Sequence, residues 1–513
     1  MARTLAHSPP VARASDALDG RLVAGLLALA TAVAAALRLP FLGTQSIWFD
    51  ETYTIHVAHA GSLAAMWHRV GASESTPPLF YAATWVWTHA LESWSAAAVR
   101  TVPALALVAS VPVAYLALRR LAGATVALAT AALLAVSPLL TWYALDARAY
   151  GLLVLTGLLS VWAFGAVLDA TTPRRLAPWA LAAAAASWTH WFAGFLVLAE
   201  VVVLLWLRPC AWRGTLFAAG AVLLSLLPLI GLLHQQTGDA RAAFIADARL
   251  PARAEQFVRQ FAAGQNVPRA WLEMATLAIA LAALAVGTLL TIRRALAVRE
   301  ERPPARGLSR ADAARALLGL TAVSLLVPLL LGATKLYDRF DVRNVLFAWP
   351  LVAALAAPAL LRLRALPLAA LLALGLVASL WGNVAWPYEN TDWRSAIAHV
   401  AARAPAQPVI AVGRLGIPVA ALYLHRDPVT EPLMTRRAWL VVEPARSPGH
   451  RDLVPIDPPL VAELLARFPG HAEQRIRAFR VIELSAPAPV ALDPSALPDA
   501  ALFAGGRARR PRG

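Results

Sequence analysis

Two adjacent carboxylates, Asp50 and Glu51, stand just beyond the first long apolar segment of the chain. A carboxylate pair beside a membrane is well placed to act as a general base or to bind a cation. The same residues also suit a structural role, because Asp is a favoured helix N-cap and Glu stabilises the first turn of a helix. The pair by itself supports the two interpretations about equally.

A second charged group lies in the short connection from Asp146 to Tyr150, between two apolar segments. A charged pair at the mouth of two apolar helices is costly unless it faces a polar cavity. Arg148 presents a planar fork of donors, which suits a phosphate group. A local salt bridge at a helix end is the alternative, and we slightly favour the cavity.

Further candidates lie at the ends of later apolar segments. A lone histidine such as His190 is more often a hydrogen-bonded interfacial residue than a metal ligand. A metal role for it is therefore the minority alternative, and the need for a divalent metal stays open. Lys335, Arg339 and Arg343 gather positive charge that suits an anionic lipid headgroup. Snorkelling of residues that flank a membrane helix predicts the same pattern.

The elements that must position these residues are membrane helices. Of the 513 residues, 59% are hydrophobic and only 15% are charged, whereas a soluble domain needs more polar surface. About eleven apolar segments approach the ~20 residues that a helix needs to cross a bilayer. They cover 21–40, 99–118, 122–140, 149–168, 176–191, 193–208, 213–234, 270–292, 314–333, 344–361 and 365–385. We therefore predict a polytopic α-helical membrane protein with about 11–13 transmembrane helices.

The distribution of charge predicts the orientation of this protein. A net charge of +16 would suggest nucleic acid in a soluble protein, but here the arginines cluster in alternate short connections, as the positive-inside rule predicts for cytoplasmic loops. These are Arg119-Arg120, Arg174-Arg175, Arg208 with Arg213, Arg293 to Arg315, and Arg362 with Arg364. We expect a multi-pass protein of the cell (inner) membrane with a cytoplasmic N-terminus, an extracytoplasmic site and no nucleic-acid partner. The single cysteine, Cys210, excludes an internal disulfide.

Composition also divides the chain into parts. The expected parts are a cytoplasmic tail (1–20), a transmembrane module (21–385), a small extracytoplasmic α/β domain (386–495) and a disordered basic tail (496–513). The first outer loop of the module, 43–98, carries interfacial helices. Pro77 and Pro78 can open one of these helices, since proline fits the first helical position. The α/β domain is predicted from short apolar runs that alternate with amphipathic stretches.

An ordered series of motifs joins these candidates. In chain order it comprises Asp50-Glu51, Pro77-Pro78-Leu79-Phe80-Tyr81, Arg100-Thr101-Val102-Pro103, Leu118-Arg119-Arg120-Leu121-Ala122-Gly123, Ser137-Pro138, Asp146 to Tyr150, and His190. This series resembles the GT-C glycosyltransferases of the protein O-mannosyltransferase and aminoarabinose-transferase type, a group similar to glycosyltransferase family 39. The resemblance is looser at Arg343-Asn344 and faint at Asp392-Trp393-Arg394, which opens the outer domain.

The resemblance implies a membrane glycosyltransferase of GT-C type. Asp50 and Glu51 would carry catalysis, and Arg148, Tyr150 and His190 would line the site. The donors of that family are sugars on a polyprenyl phosphate, and transfer to an acceptor hydroxyl inverts the anomeric carbon. The acceptor would be a protein, a lipid or a polysaccharide.

Within this hypothesis, Asp50 is the general base, Glu51 orients Asp50 or the acceptor, and Arg148, with Arg343, holds the phosphate. Asp146, Tyr150, His190, Arg339, Pro77 and Pro78 complete the expected substrate-binding set. One departure from the family matters, because the aminoarabinose transferases place a lysine before the Pro-Pro pair, where this chain has Thr76. An arginine or a bound ion must then hold the phosphate, and the aminoarabinose substrate is not implied.

Two other functional classes stay open. A transporter or flippase of lipid-linked saccharides also needs many spans and a cationic site. Transporters, however, often have related halves and helices broken near the bilayer midplane, and the sequence has no internal repeat. A membrane anchor whose outer domain does the chemistry is less well supported. That domain has no nucleophile elbow, metal-ligand spacing or Gly-rich phosphate loop.

Overall fold

The computed structural model describes residues 19–238, 244–265, 267–297, 308–385, 391–404, 406–446, 453–456 and 458–506. The predicted N-terminal tail falls almost entirely outside these residues, as does the part of the predicted C-terminal tail beyond residue 506. The described chain forms a helical module up to residue 385 and a small domain with a β-sheet after residue 391. This confirms the predicted fold class.

The first module consists of helices α1 to α18. Their bounds are α1 (Gly20–Arg38), α2 (Phe49–Ala58), α3 (Leu63–Ser73), α4 (Leu79–Ala90), α5 (Ala96–Ala122), α6 (Ala124–Val136), α7 (Pro138–Ala144), α8 (Tyr150–Asp169), α9 (Pro173–Thr189), α10 (Ala193–Leu207), α11 (Trp212–Ser225), α12 (Ile230–Gly238), α13 (Phe244–Asp247), α14 (Leu250–Ala263), α15 (Ala270–Leu296), α16 (Arg310–Ala333), α17 (Trp349–Leu360) and α18 (Leu366–Val384). A 3-10 helix, Arg343–Ala348, leads directly into α17.

Each apolar segment predicted from the sequence is helical. Within the described residues, eight helices are long and apolar enough to cross a membrane, and the pair α6–α7, bent by 55°, is a ninth candidate. The other two predicted segments, α9 and α10, have only 17 and 15 residues. At ~1.5 Å per residue, they are shorter than the ~30 Å hydrocarbon core. The chain is a multi-pass membrane protein in which two of the predicted spans are short helices.

The bend between α6 and α7 occurs at Pro138, which has no N–H to continue the helical hydrogen bonds. Backbone groups freed inside a membrane must find other partners. The Arg38 guanidinium donates to the carbonyls of Leu134 and Ala135 at 3.0 and 2.9 Å, and Ser379 of α18 donates to the next carbonyl. These bonds stabilise the bend, and the bend directs α7 towards the connection that precedes α8.

Arginines from three connections meet at the C-terminal end of α8. Arg120 Nε lies 3.2 Å from Asp169 Oδ2, Arg175 donates to the carbonyl of Ala166, and Arg208 donates to the carbonyl of Leu168 at 2.9 Å. Cations are favourable at a helix C-terminus because the helix dipole is negative there. These arginine-bearing connections therefore lie on one face of the membrane module, as the charge pattern predicts.

The second domain is a five-stranded sheet with helices on both sides. Its strands are β1 (Val409–Val412), β2 (Leu433–Val442), β3 (Ala445–Arg446), β4 (Leu453–Val454), β5 (Gly470–Ile476), β6 (Phe479–Leu492) and β7 (Ala500–Phe503), and its helices are α19 (Trp393–Arg403), α20 (Ile417–Leu424) and α21 (Pro459–Arg467). The strand order is β5-β6-β2-β1-β7, with β1 and β2 parallel and the other neighbours antiparallel, and β3 pairs separately with β4. The predicted α/β domain therefore forms.

The end of this domain requires one correction. A disordered tail is expected from residue 496, but strand β7 lies beyond that point and pairs with β1. Leu502 and Phe503 are fully buried in it, because this apolar strand covers the free edge of β1. The sheet domain therefore continues past residue 495.

The sheet domain is attached to the first loop of the membrane module. The backbone N–H of Ile47 donates to the Tyr423 hydroxyl at 2.8 Å, and Ser46 donates to the same hydroxyl at 3.3 Å. Arg394 donates to the carbonyl of Gly43 at 2.8 Å. We call the side of the membrane module that carries this loop the loop face.

Candidate active site

An ion pair between Glu51 and Arg100 holds the first loop in place. Both side chains are fully buried, and Arg100 donates from Nε and Nη2 to the two carboxylate oxygens at 2.7 and 2.6 Å. The same guanidinium donates to the carbonyls of Leu42, Gln45 and Ser46. One side chain of α5 therefore fixes the chain segment that enters α2.

The start of α2 separates the two neighbouring carboxylates. Glu51 accepts a hydrogen bond from the backbone N–H of Trp48 at 3.2 Å and another from that of Ala147 at 2.9 Å. Since α2 begins at Phe49, Asp50 lies in its first turn and is not the N-cap. Successive helical residues point about 100° apart, so Glu51 is buried against α5 while Asp50 faces elsewhere.

Asp50 faces a cavity of about 700 Å³ on the loop face, and 25% of its side chain is exposed. Its Oδ2 lies 3.8 Å from Nη1 of Arg343. The cavity is lined by α2, the end of α3, the connection before α8, the α9–α10 turn and the segment before α17. Six of the residues predicted from the sequence share this lining: Asp50, Arg148, Tyr150, His190, Arg339 and Arg343.

Arg148 is anchored by a carboxylate that sequence reasoning missed. Its Nη1 lies 2.8 Å from Oε2 of Glu74, which also accepts the Tyr81 hydroxyl hydrogen at 2.7 Å. Nη1 of Arg148 also donates to the backbone carbonyl of Asp50 at 3.2 Å. Burial raises the pKa of Glu74, and the Arg148 charge partly opposes this shift. Arg148 therefore connects the end of α3 to the start of α2.

Arg343 and Arg339 form the opposite wall of the cavity. Nε of Arg343 lies 3.3 Å from Asp341 Oδ1, and the side chain is 20% exposed. The carbonyl of Arg339 accepts from the side-chain amide of Asn344 at 2.8 Å, which fixes the backbone before the 3-10 helix. Lys335, the third cation of the predicted cluster, is exposed and does not line the cavity.

His190 and Tyr150 provide neutral polar groups in the cavity. The backbone N–H of Phe192 donates to Nδ1 of His190 at 3.2 Å, so the proton of the neutral ring is on Nε2. Burial, with the charges of Arg148 and Arg343, lowers the pKa of His190 to about 3. Its ring centroid lies 6.1 Å from that of Tyr150. The His190 ring is therefore neutral near pH 7 and can donate a hydrogen bond from Nε2.

The other predicted site residues do not line the cavity. Glu51 lies on the face of α2 that packs against Arg100 of α5. Asp146 is buried, and its Oδ1 accepts from the Trp48 indole at 3.2 Å. Burial and the nearby charge of Glu51 raise the pKa of Asp146 to about 8. Pro77 and Pro78 are buried just before α4. The buried positions of Asp146, Pro77 and Pro78 do not support the predicted contact of these residues with substrate. Buried residues next to the cavity more readily hold its walls in place.

A metal site is equally unsupported in the part of the chain that the structure describes. Those residues contain no group of three or more His, Cys, Asp or Glu that could hold a metal ion. The cavity lining instead combines the carboxylates of Asp50, Glu74 and Asp338 with several guanidinium groups. Glu74 is buried against Arg148 and Asp338 is paired with Arg253, whereas Asp50 is partly exposed and lies 3.8 Å from Arg343. Such a set can accept a proton at Asp50 and can bind an anionic group at the arginines.

Comparison with known proteins bears on the fold. No protein-family model and no curated protein sequence matches this chain. The crystal structure of ArnT from Cupriavidus metallidurans bound to undecaprenyl phosphate matches it with a TM-score of 0.53 and 13% identity, covering 90% of this chain and 98% of that one. The Archaeoglobus fulgidus oligosaccharyltransferase tethered with an acceptor peptide matches with a TM-score of 0.44 and 11% identity, over 75% and 58% of the two chains. The match to ArnT over nearly the whole of both chains shows that this protein has the GT-C fold.

Proposed function

We propose that this protein is a membrane glycosyltransferase that moves a sugar from a polyprenyl phosphate to an acceptor hydroxyl on the extracytoplasmic face, which is the loop face. The acceptor oxygen attacks the anomeric carbon from the side opposite the phosphate, and the anomeric configuration is inverted. The bond between the anomeric carbon and the phosphate oxygen breaks, and polyprenyl phosphate leaves with the bonding electrons. The hydroxyl proton passes to Asp50.

Asp50 is the best candidate for the general base. Its carboxylate faces the cavity, whereas the buried Glu51 is fully engaged by Arg100 and two backbone N–H groups. A general base must be within hydrogen-bond reach of the proton that it accepts. Glu51 then acts as a positioning residue, because it fixes the turn from which Asp50 projects.

The donor phosphate would bind at Arg343, with Arg339 beside it. Arg148 is held by Glu74 and by the Asp50 carbonyl, so it contributes positive charge and fixes the Asp50 backbone. The cavity lining includes Leu233, which belongs to the candidate span Pro209–Gln236 and is 39% exposed on the outside of the protein. A lipid carrier in the bilayer would therefore have direct access to it. The ArnT structure of the same fold holds undecaprenyl phosphate, which supports this class of donor.

One observation carries the proposal: Asp50, Arg148 and Arg343 line the same cavity on the loop face. A base and an anion-binding group in one cavity are what transfer from a lipid phosphate requires. The lining contains no residue of the sheet domain within the described chain. This supports chemistry in the membrane module and argues against an anchor whose outer domain is the enzyme.

The test uses purified protein in lipid nanodiscs with a panel of radiolabelled polyprenyl-phosphate sugars and a mixture of hydroxyl acceptors. We expect one donor to be consumed, and Asp50→Asn to lower transfer by ~10²–10⁴-fold, the usual contribution of a general base. The unfolding temperature should not change, since Asp50 is partly exposed. Asp169→Asn, at the arginine-rich opposite face, is the matched control and should retain activity.

Two results would contradict this proposal. Full activity of Asp50→Asn would remove the assigned base. Movement of an intact lipid-linked sugar across liposome membranes, without any transfer product, would instead identify the protein as a transporter or flippase.

A further inference from the structure

A second cavity, which we call the outer cleft, lies between the first loop and the sheet domain. Its volume is about 1100 Å³. On the loop side it is lined by α2 and the end of α3, and on the domain side by α20, the segment after α20 and the residues that follow β7. Nothing in the proposed chemistry of Asp50 uses this space.

Helix α2 forms the partition between the two cavities. Thr52, Ile55, His56 and His59 line the outer cleft, and their spacing of three, four and seven residues places them on one face of the helix. Asp50 lies one turn before Tyr53, on the face that lines the catalytic cavity. A single ten-residue helix therefore presents the base to one side and the cleft surface to the other.

The outer cleft and the catalytic cavity share two lining residues. Tyr53 of α2 and Ser73 at the end of α3 line both of them. Tyr53 stands one helical turn from Asp50, and its ring packs edge-on against Phe49 with centroids 5.2 Å apart. A molecule in the outer cleft that extends past Tyr53 would reach the carboxylate of Asp50.

The lining of the outer cleft indicates a position outside the bilayer. None of the residues that line it belongs to a candidate membrane span in the described chain, whereas the catalytic cavity includes several that do. A lipid acceptor would keep its acyl chains in the membrane, and no candidate span in the described lining of this cleft connects the cleft to it. A water-soluble acceptor fits the position better.

The groups that line the outer cleft suit an uncharged saccharide. Partial burial and the Arg69 charge lower the pKa of both His56 and His59, which favours their uncharged forms. Nδ1 of His59 contacts the carbonyl of Ile55 at 2.9 Å, which leaves Nε2 to accept a hydrogen bond from a hydroxyl. The hydroxyl of Thr52 is a further polar group on this wall.

The edge of the sheet next to the outer cleft does not suit a peptide. Extended peptides often bind by adding a strand to an open sheet edge. The edge strand here is β7, and its Leu502 carbonyl already accepts the N–H of Val429 at 2.8 Å. Arg426 and Asp427 contribute charges of both signs to the cleft, which does not favour an acceptor with a strong net charge.

We propose that the outer cleft is the acceptor site, and that it binds the end of an uncharged, water-soluble saccharide with one hydroxyl directed past Tyr53 to Asp50. This inference rests on the proposed glycosyl transfer. It assigns the two substrates to opposite sides of α2, with the lipid-phosphate donor on the arginine side and the saccharide on the histidine side.

The test compares Ala72→Trp with Ala64→Trp. Both alanines are exposed on α3, but only Ala72 lines the outer cleft, so only the first substitution fills it. Binding of neutral manno-, gluco- and galacto-oligosaccharides to nanodisc protein is measured by saturation-transfer NMR without donor. Transfer from the active polyprenyl-phosphate sugar is then measured with these oligosaccharides, with a pool of Ser/Thr peptides and with the bilayer lipids as acceptors.

We expect an oligosaccharide to bind and to accept the sugar, with Ala72→Trp raising its KM by about tenfold or more. The affinity for undecaprenyl phosphate should stay unchanged in this variant, and Ala64→Trp should behave as wild type. Label on peptide or lipid alone, or an unchanged oligosaccharide KM in Ala72→Trp, would overturn the acceptor site while leaving glycosyl transfer intact. Consumption of no donor, even with oligosaccharide bound, would overturn the proposed transfer and the acceptor role with it.

Discussion

Asp50 and Glu51 are neighbours in the chain but have opposite surroundings. Glu51 is fully buried and accepts hydrogen bonds from Arg100 and from two backbone N–H groups. Asp50 is open to a cavity, and its closest ion-pair partner is Arg343, at 3.8 Å. The difference shows that two carboxylates adjacent in sequence can have separate roles. One carboxylate builds the loop, and the other is left accessible for chemistry.

The largest effect that tests this contrast is expected from Arg100→Leu. Loss of Arg100 leaves the Glu51 charge buried without its partner, which typically costs ~3–5 kcal/mol. We expect a large fall in the unfolding temperature of the nanodisc protein, which scanning fluorimetry measures. Arg175→Leu is the control, because Arg175 is 41% exposed and exposed ion pairs contribute only ~0–1 kcal/mol.

A double variant sharpens this prediction. Replacing a whole buried ion pair by apolar residues is often much less costly than removing one partner. Glu51→Leu combined with Arg100→Leu should therefore recover part of the stability that Arg100→Leu loses. A double variant as unstable as the sum of the two single variants would show that the ion pair is not the main interaction at this position.

A smaller effect, on binding and not on stability, is expected at Arg343. A hydrogen bond to a charged group contributes ~1.5–3 kcal/mol, so Arg343→Ala should weaken binding of undecaprenyl phosphate by roughly 10- to 100-fold. Arg343→Lys should retain part of the affinity because it keeps the charge. Binding is measured by native mass spectrometry or calorimetry. An unchanged affinity in Arg343→Ala would place the phosphate elsewhere.

The smallest effect concerns the dependence of stability on pH at Asp146. Its folded pKa is raised from 3.8 to about 8, so between these values the folded state holds a proton that the unfolded state has released. Stability should therefore fall as pH rises from about 4 to about 8 and then level off. Asp146→Asn mimics the protonated form and should therefore be more stable than wild type at pH 9.

Melting curves of both proteins at pH 5 and pH 9 check this prediction. Because Asn keeps the size of Asp and still accepts from the Trp48 indole, the two proteins should melt alike at the lower pH. A wild-type protein that is more stable than Asp146→Asn at pH 9 would show that Asp146 is ionised in the folded state.

Much of the site could be predicted from the sequence. Membrane helices are recognised by their apolar composition, and the charged residues of such a protein lie mostly at the ends of these helices. Asp50, Arg148 and Arg343 lie in three distant parts of the chain, and the positive-inside pattern predicts that their segments share a face. Hydropathy also predicted the helical type of these segments, but it predicted about eleven spans where the described residues contain eight or nine candidates. The sequence predicts full spans at α9 and α10, which are short helices in the structure. Apolar composition alone does not determine where a regular helix ends.

The side-chain contacts that distinguish a structural residue from a catalytic one could not be predicted from the sequence. Glu74 stands in a polar stretch, Ser73-Glu74-Ser75-Thr76, with no periodic or motif signal, and only the fold brings it to Arg148. Arg100 was visible as part of a motif, but its partner Glu51 was equally compatible with a catalytic role. The outer cleft depends on where the sheet domain is attached, and no local pattern encodes that attachment.

The bond between Ser379 and the broken helix also constrains how the protein is made. The partners are 243 residues apart in the chain, so α6 and α7 enter the membrane well before Ser379 has been synthesised. Until α18 arrives, the carbonyl at the break lacks this donor. The catalytic cavity also needs Arg339 and Arg343, which precede α17, so it too is completed late, although the residues that line it begin at the first loop of the module.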